Sequence, residues 1–403
     1  MLHRLEIENF YSILESQVID LRVANHAPDA PERFVPIWRN STEKAPKIVA
    51  FFGPNASGKS NVLRALTFIS FFVQHSFSVP AGNPLPFQRF NNTQGLARPT
   101  RLTAYMAGLE DLTRAEDATA PQCRYVYEVV IGGQGNHTVL HESLHYWPST
   151  AARKVRVFER DAEGKVEAAR MFDLSRFRVT LEAILRPNAS VISTLAQLKH
   201  PGATIFRDAA AKLCSNILVQ KEDVRDEQVI QLYVNNPSWL EAFNREVQRV
   251  DLGIRAMKFL PDAQGLHAIF EHEGLSSPVH LTLESHGTRQ FLKIFPYILQ
   301  ALETGGVAVL DELDGAIHPQ MLSEILQWFR DRKRNPHNAQ LWISCHSVSL
   351  LESLSKEEVF FCDKDSGGRT RIYGLRDIQG VRRADNYYKK YMAGIYGAIP
   401  QIG

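Results

Sequence analysis

A glycine-rich stretch followed by a lysine and a serine is the segment of this chain with the clearest chemistry. It fits the pattern GxxxxGK(S/T) and consists of Gly53, Pro54, Asn55, Ala56, Ser57, Gly58, Lys59 and Ser60. The glycines let the backbone curl so that successive N–H groups face phosphate oxygens, the lysine reaches the β- and γ-phosphates, and the serine hydroxyl holds Mg²⁺. The pattern therefore predicts a loop that binds a nucleoside triphosphate together with Mg²⁺.

The segments on either side of this loop have the periodicity that such a site needs. The continuous apolar run over residues 48–52 predicts a buried strand, and apolar residues recur at helical spacing from Asn61 to about His75. A loop that opens a helix directs free N–H groups and the positive end of the helix dipole toward an anion. We include Asn61, the residue directly after the pattern, in the predicted nucleotide site.

A second group of polar residues follows apolar strands in the last third of the chain. Residues 307–310 predict a strand that ends at Asp311 and Glu312, and a helix and a second strand ending at His346 come next. In a parallel sheet the carboxyl ends of neighbouring strands share one edge, so these side chains should reach the phosphate-binding loop. We predict that Asp311 is a ligand of Mg²⁺ and that Glu312 is the base for the attacking water.

Simpler interpretations of the same residues exist. Taken alone, Glu312 is a solvated strand end and His346 is an ordinary histidine at a strand terminus. Their position after apolar strands, in one chain with the lysine loop, favours catalytic roles for Glu312, His346 and Lys59.

Composition narrows the class of protein. The chain has 403 residues, 44% of them apolar, and its 46 Lys and Arg against 44 Asp and Glu give a formal net charge of +2. A net charge this small gives no overall electrostatic attraction toward nucleic acid or a membrane surface. The four cysteines form no CxxC pair, which argues against zinc and disulfides and fits a reducing cytoplasm. We expect a cytoplasmic protein with no membrane partner.

The remaining periodicities predict an α/β fold with three parts. Two hairpins, over residues 125–147 and 153–172, predict an antiparallel β lobe, and residues 188–250 read as short helices. We predict a P-loop NTPase domain with a mostly parallel core sheet, formed by residues 1–187 and 251–403, and a helical insertion at 188–250.

With these motifs, the chain resembles the ABC-like ATPase heads related to SMC proteins and RecF, and in particular the AAA-type ATP-binding proteins of phage-defence and abortive-infection operons, the RloA/AbiL and OLD-like group. Residues 5–12 are similar to the family's first strand, and residues 86–90, with Gln88, resemble its Q-loop. Residues 283–289 lie where the ABC signature belongs, and the tail over residues 391–400 is similar to the ending of this group.

The resemblance implies a role for each of these segments. In such heads two subunits meet head to tail around ATP, so Ser285 and Gly287 would face the partner's γ-phosphate. Gln88 would connect Mg²⁺ and the water to the inserted lobe, His346 would contact the γ-phosphate, and Asp314 would link the two sites. The signature reads Ser-His-Gly-Thr where the family has Leu-Ser-Gly-Gly, so His286 would add bulk or a titratable group near the γ-phosphate. Taken alone, Ser285 and Gly287 are a helix cap and a turn.

Two functions follow as hypotheses. The resemblance implies an ATPase whose nucleotide-driven dimer senses for or regulates a separate effector protein from the same operon in anti-phage defence. The alternative is a DNA-binding ATPase head of the repair and recombination type. The absence of a persistent heptad pattern, of a strongly basic balance and of room for a nuclease domain after the ATPase motifs favours the first. The residues leave nucleic acid open as a partner.

Overall fold

The computed structural model describes residues 1–24, 27, 29–133, 135, 137–219, 226–250, 253–262, 265–315 and 317–399. The strands in chain order are β1 (Leu2–Glu8), β2 (Gln17–Asp20), β3 (Phe34–Pro36), β4 (Lys44–Pro46), β5 (Ile48–Phe52), β6 (Thr100–Leu109), β7 (Gln122–Gly132), β8 (Thr138–Trp147), β9 (Val155–Arg160), β10 (Val166–Ala168), β11 (Leu213–Ser215), β12 (Ile254–Asp262), β13 (Gly265–His272), β14 (Val279–His280), β15 (Val307–Leu310), β16 (Gln340–Ser344), β17 (Val359–Lys364) and β18 (Thr370–Gly374).

The helices connect and cover these strands. They are α1 (Lys59–His75), α2 (Thr93–Ala97), α3 (Arg178–Ile184), α4 (Val191–Gln197), α5 (Pro201–Ala211), α6 (Asp226–Asn235), α7 (Pro237–Val250), α8 (His286–Thr304), α9 (Pro319–Arg330) and α10 (Tyr387–Met392). In the part of the chain that the structure describes, no helix combines the length and the apolar character needed to cross a membrane.

The core sheet has the strand order β11-β15-β16-β5-β17-β18. All neighbours pair in parallel except β17 and β18, which are antiparallel. Every residue of β5 and of β16 is buried, as expected for strands covered on both faces. The register pairs Ser344 of β16 with Phe51 of β5, and Leu310 of β15 with Ile343. The carboxyl ends of these strands therefore share one edge, and the predicted mostly parallel sheet is confirmed.

The side chains of β5 alternate between two hydrophobic clusters because successive residues of a strand point to opposite faces. Val49 and Phe51 belong to the cluster that contains the buried face of α1. Ile48, Ala50 and Phe52 belong to the second cluster, together with buried side chains of α8 and α9. The strand that precedes the phosphate-binding loop is thus held from both sides.

A seven-stranded antiparallel sheet forms the predicted β lobe, with the order β10-β9-β8-β7-β6-β1-β2. Both predicted hairpins are present, as β7 with β8 and β9 with β10, although Gln134 of the first turn lies outside the described residues. The opening segment contributes β1 to this lobe, between β6 and β2. It then turns back at a bridge between Phe10 and Ile13.

Residues 188–250 differ from the predicted helical insertion. Their helices are divided between the two clusters, since α4 and α5 pack with α1 whereas α6 and α7 pack with α8. Between them lies β11, which pairs in parallel with β15 and forms an edge of the core sheet. The segment therefore does not form a separate helical insertion. Its strand β11 belongs to the core sheet, and its helices pack in both hydrophobic clusters.

The tail packs against β17, the core-sheet strand that pairs with β5. Tyr391 of α10 stacks on Phe361 of β17 with ring centroids 5.3 Å apart, and its hydroxyl donates to the carbonyl of Ala398 at 2.6 Å. Tyr396 is also buried against Phe361. Tyr391, Tyr396 and Ala398 of the family-like tail thus have a packing role, while Pro400 lies outside the described residues.

Candidate nucleotide site

Two glycines give the predicted phosphate-binding loop its shape. Gly53 has φ +146°, and a Cβ there would lie 2.1 Å from the carbonyl oxygen of Cys362. Gly58 has φ +107°, and a Cβ there would lie 2.3 Å from Oγ1 of Thr370. Both positions therefore require glycine, for backbone angle and for space. The loop curls between β5 and α1 in the way that the pattern predicts.

The other loop residues line this curl. Asn55 and Ala56 are exposed at the crest of the loop, whereas Ser57 is buried. Nζ of Lys59 donates to the carbonyls of Gly53 and Pro54, at 2.8 and 2.9 Å, so the ammonium group lies across the loop. Burial lowers the pKa of Lys59, against the opposing field of nearby acidic groups including Asp311. A cradle of this shape with one cation fits a polyphosphate.

Ser60 and Asp311 meet at the shared edge of the sheet. Oγ of Ser60 donates to Oδ1 of Asp311 at 2.8 Å, although the two residues are 251 positions apart in the chain. A hydroxyl and a carboxylate are hard oxygen ligands, and Mg²⁺ commonly takes one or two such protein ligands together with phosphate oxygens. Ser60 and Asp311 thus fit the predicted magnesium site, in which the ion would neutralise charge on the phosphates.

Two residues that the sequence analysis did not select hold Asp311 in place. Ser344 donates its hydroxyl to Oδ1 of Asp311 at 2.5 Å. Asn216 accepts from the backbone N–H of Asp311 at 2.8 Å and donates to its carbonyl at 3.2 Å. Ser344 could have been selected from the sequence, because it is a polar residue at the end of the apolar strand that precedes His346. Asn216 follows a strand in a segment predicted to be helical, and no local pattern indicates it.

Glu312 leaves the sheet in an unusual backbone conformation. Its φ is +50°, in the left-handed region, which costs a residue other than glycine about 1–3 kcal/mol. The backbone N–H of Glu312 donates to Oγ of Ser344 at 2.8 Å, which helps to fix this turn. As a result Asp311 stays buried while Glu312 is exposed. Oε1 of Glu312 lies 3.7 Å from Nε2 of His346, so the two predicted catalytic side chains are brought together.

Asp314 fixes the backbone that carries His346. Its Oδ2 accepts the backbone N–H of His346 at 2.6 Å and also that of Ser347. The structure thus gives Asp314 a contact within its own chain. The predicted link from Asp314 to a second site remains a prediction.

Gln88 lies on a loop that is tied to the opening segment. Its carbonyl accepts the N–H of Tyr11 at 2.8 Å, and its side chain is exposed. Ser12, which follows Tyr11 in the opening segment, accepts a hydrogen bond from Nδ2 of Asn61 at 2.7 Å. The Gln88 loop is therefore connected to the start of α1, while contact of its amide with Mg²⁺ remains a prediction.

Asn61 lies behind the phosphate-binding loop. Its side chain contacts Ser12 and Arg64, and its backbone N–H donates to the carbonyl of Gly58 at 3.0 Å. Both of its donor groups are therefore engaged by the protein. These contacts make Asn61 a support of the loop, and its predicted place in the nucleotide site stays a prediction.

The signature-like segment caps a long helix. Ser285 is the N-cap of α8, and its hydroxyl accepts the N–H of Thr288 at 3.1 Å, as in an ordinary helix cap. Ser285 and His286 are exposed, and Gly287 lies in the first turn. The helix end is thus open to a second molecule, and the predicted contact with a partner's γ-phosphate stays a prediction.

The order of the core strands and the residues at their carboxyl ends define a P-loop ATPase domain. The strand before the phosphate-binding loop, β5, and the strand before Asp311, β15, lie on either side of β16. The sequence matches, over residues 48–352, the family described as "AAA domain, putative AbiEii toxin, Type IV TA system". The chain belongs to this family. The predicted membership in an AAA-type family of P-loop ATPases is thereby confirmed.

Solved structures of SMC heads are similar to this chain. One is the SMC head domain from Thermotoga maritima, with 14% identity, a TM-score of 0.41 and coverage of 93% of this chain and 98% of that chain. Another is the Smc head domain with an extended coiled coil bound to the C-terminal domain of ScpA derived from Pyrococcus furiosus, with 11% identity, a TM-score of 0.43 and coverage of 93% and 96%. The comparison with curated proteins gives no match.

Replacing Ser344 tests whether this residue aligns the acidic pair. Ser344→Ala removes the hydroxyl that contacts both Asp311 and the N–H of Glu312, so we expect ATP turnover to fall by about tenfold or more. The matched control is Ser76→Ala, which removes a buried hydroxyl that donates to the carbonyl of Phe72, at the far end of α1. Steady-state phosphate release is the measurement. Equal turnover of the two variants would remove Ser344 from the site.

Proposed function

We propose that this protein hydrolyses ATP with Mg²⁺ between two head-to-tail copies of the chain, and that this nucleotide-driven dimer regulates a separate effector protein in bacterial anti-phage defence. The observation that carries the proposal is the contact of Ser60 with Asp311. It joins the end of the phosphate-binding loop to the acidic strand end, at 2.8 Å, near Lys59, whose charge interacts with those of Asp311 and Glu312.

The residues divide the reaction between binding and proton transfer. The loop N–H groups and Lys59 would hold the β- and γ-phosphates, and Ser60 and Asp311 would hold Mg²⁺. A water oxygen would attack the γ-phosphorus as the bond to the ADP oxygen breaks, and the exposed carboxylate of Glu312 would accept the water proton. His346, close to Glu312, would donate a hydrogen bond to the transferred phosphoryl group.

A second copy of the chain would complete the pocket. The N-terminus of α8 carries the positive end of the helix dipole, which favours a phosphate group. Leu283, just before this helix, is 77% exposed, and its burial against a second copy would stabilise the dimer. ATP would then lie between the loop of one copy and Ser285 and Gly287 of the other.

The regulatory part of the proposal rests on the family. Its description names a toxin of a Type IV toxin–antitoxin system, and the motifs resemble those of abortive-infection ATPases. An ATPase whose dimer forms and separates with the nucleotide supplies a switch, and the toxic or nuclease activity would belong to the effector protein. Co-purification from native operon expression tests whether such an effector binds.

Glu312→Gln separates binding from hydrolysis. The amide keeps the size of the carboxylate but accepts no proton, so we expect MgATP to bind normally and turnover to fall by about 100-fold or more. Lys59→Ala is the contrasting variant, since it should abolish MgATP binding itself. Calorimetry measures binding, and single-turnover phosphate release measures hydrolysis. Normal turnover of Glu312→Gln would remove this residue from the role of base.

Ser285→Arg tests the head-to-tail dimer. The arginine side chain would fill the space that the second copy needs at the start of α8, so we expect the ATP-dependent dimer to weaken while each monomer still binds ATP. Ser149→Arg, at an exposed turn after β8, is the matched control. Light scattering with Glu312→Gln as the background, which should retain ATP, gives the molecular mass. A dimer of undiminished stability in Ser285→Arg would contradict the proposed arrangement.

A further inference from the structure

A buried threonine far along the chain lies directly behind the phosphate-binding loop. Thr370, the first residue of β18, is 2% exposed, and its Oγ1 donates to the carbonyl of Ser57 at 2.8 Å. This is the residue that a Cβ at position 58 would meet at 2.3 Å, so Gly58 and Thr370 are in close contact. The sequence pattern of the loop gives no indication of this partner, which lies 313 positions away from Ser57.

The hydrogen bond fixes the direction of one peptide group of the loop. In a planar trans peptide the C=O and the N–H point in opposite directions. Because Thr370 holds the carbonyl of Ser57 toward itself, the N–H of Gly58 must point away from Thr370. In a loop of this pattern, that is the side on which the phosphate binds. Thr370 thus orients the N–H of Gly58 through its hydrogen bond to the carbonyl of the same peptide group.

Thr370 is the last member of a chain of hydrogen bonds that all run toward the loop. Oγ of Ser12 lies 2.7 Å from Oγ1 of Thr370, and Nδ2 of Asn61 donates to Ser12 at 2.7 Å. Since the Thr370 proton goes to the carbonyl of Ser57, the Ser12 proton must go to Thr370. Arg64 donates to Oδ1 of Asn61 at 2.7 Å and places a cation at the start of the chain. Donors aligned in this way polarise and strengthen one another.

The position of Ser12 is itself determined from several sides. Its carbonyl accepts the N–H of Thr370 at 2.7 Å, and the preceding N–H, of Tyr11, donates to the carbonyl of Gln88. Tyr11 and Asn9 both have positive φ, 49° and 52°, so this turn is held in a strained conformation by its surroundings. The hydrogen-bond chain therefore also connects the phosphate-binding loop to the loop that carries Gln88.

We infer that Thr370 and Ser12 are positioning residues of the nucleotide site, which orient the Gly58 N–H toward the phosphate through the relay Asn61–Ser12–Thr370–Ser57. The inference rests on the proposed function, since it assigns these residues to the site that binds ATP. Neither residue contacts the reacting atoms. Because the oriented N–H binds the phosphate before and during the reaction, the relay should affect affinity more than the rate at saturation.

Thr370→Val tests the relay with little change in side-chain volume. We expect the Kd and the KM for MgATP to rise by about tenfold, the loss expected for one misoriented hydrogen bond to a charged group, with kcat changed by less than about threefold. Thr370→Ser keeps the hydroxyl and should stay within about threefold of the wild-type Kd. The control is Thr194→Val, which removes an equally buried hydroxyl that donates to the carbonyl of Ser190. This control should bind MgATP as wild type does.

A double-mutant cycle separates a relay from two independent packing effects. Ser12→Ala should weaken MgATP binding, and adding it to Thr370→Val should cause no further loss, because Ser12 acts through the Thr370 hydroxyl. Additive losses, or an unchanged Kd in Thr370→Val while wild type binds MgATP, would overturn the inference and leave the proposed function standing. Failure of wild type to bind MgATP would overturn both.

Discussion

The parallel alignment of β5, β15 and β16 is the constraint on which the site depends. It places the phosphate-binding loop, the Asp311–Glu312 pair and the segment of His346 at one edge of the sheet, and the contact of Ser60 with Asp311 closes that edge. The alignment is stabilised by the burial of all of β5 between two hydrophobic clusters. A shift of one strand by one residue would exchange its buried faces and move its polar end out of the site.

Around this edge, polar side chains fix the position of the residues assigned to the reaction. Ser344 and Asn216 hold Asp311, Asp314 holds the backbone of His346, and Thr370 holds the carbonyl of Ser57. These contacts also explain how Glu312 keeps a positive φ. Because Ser344 and Asn216 hold Asp311, and the N–H of Glu312 donates to Ser344, the surrounding structure compensates the strain, and the turn exposes one carboxylate while the other stays buried.

The sequence predicts what depends on local pattern and misses what depends on distant contacts. The loop over residues 53–60 and the strand that ends at Asp311 are local, since a short segment contains all the residues that define each of them. Thr370 and Asn216 act on the site from positions that only the folded sheet brings near, so no spacing rule indicates them. For the same reason β11, a three-residue edge strand, was hidden in a segment that reads as helical.

The central claim is that Ser60 and Asp311 hold one metal ion beside one triphosphate. It is tested most directly by the affinity for Mn²⁺ in the presence of ATP, measured by electron paramagnetic resonance in wild type and in Asp311→Asn. The account predicts a loss of metal affinity of about tenfold or more in the variant, with ATP binding in the absence of metal retained. Equal metal affinity in the two proteins would contradict it.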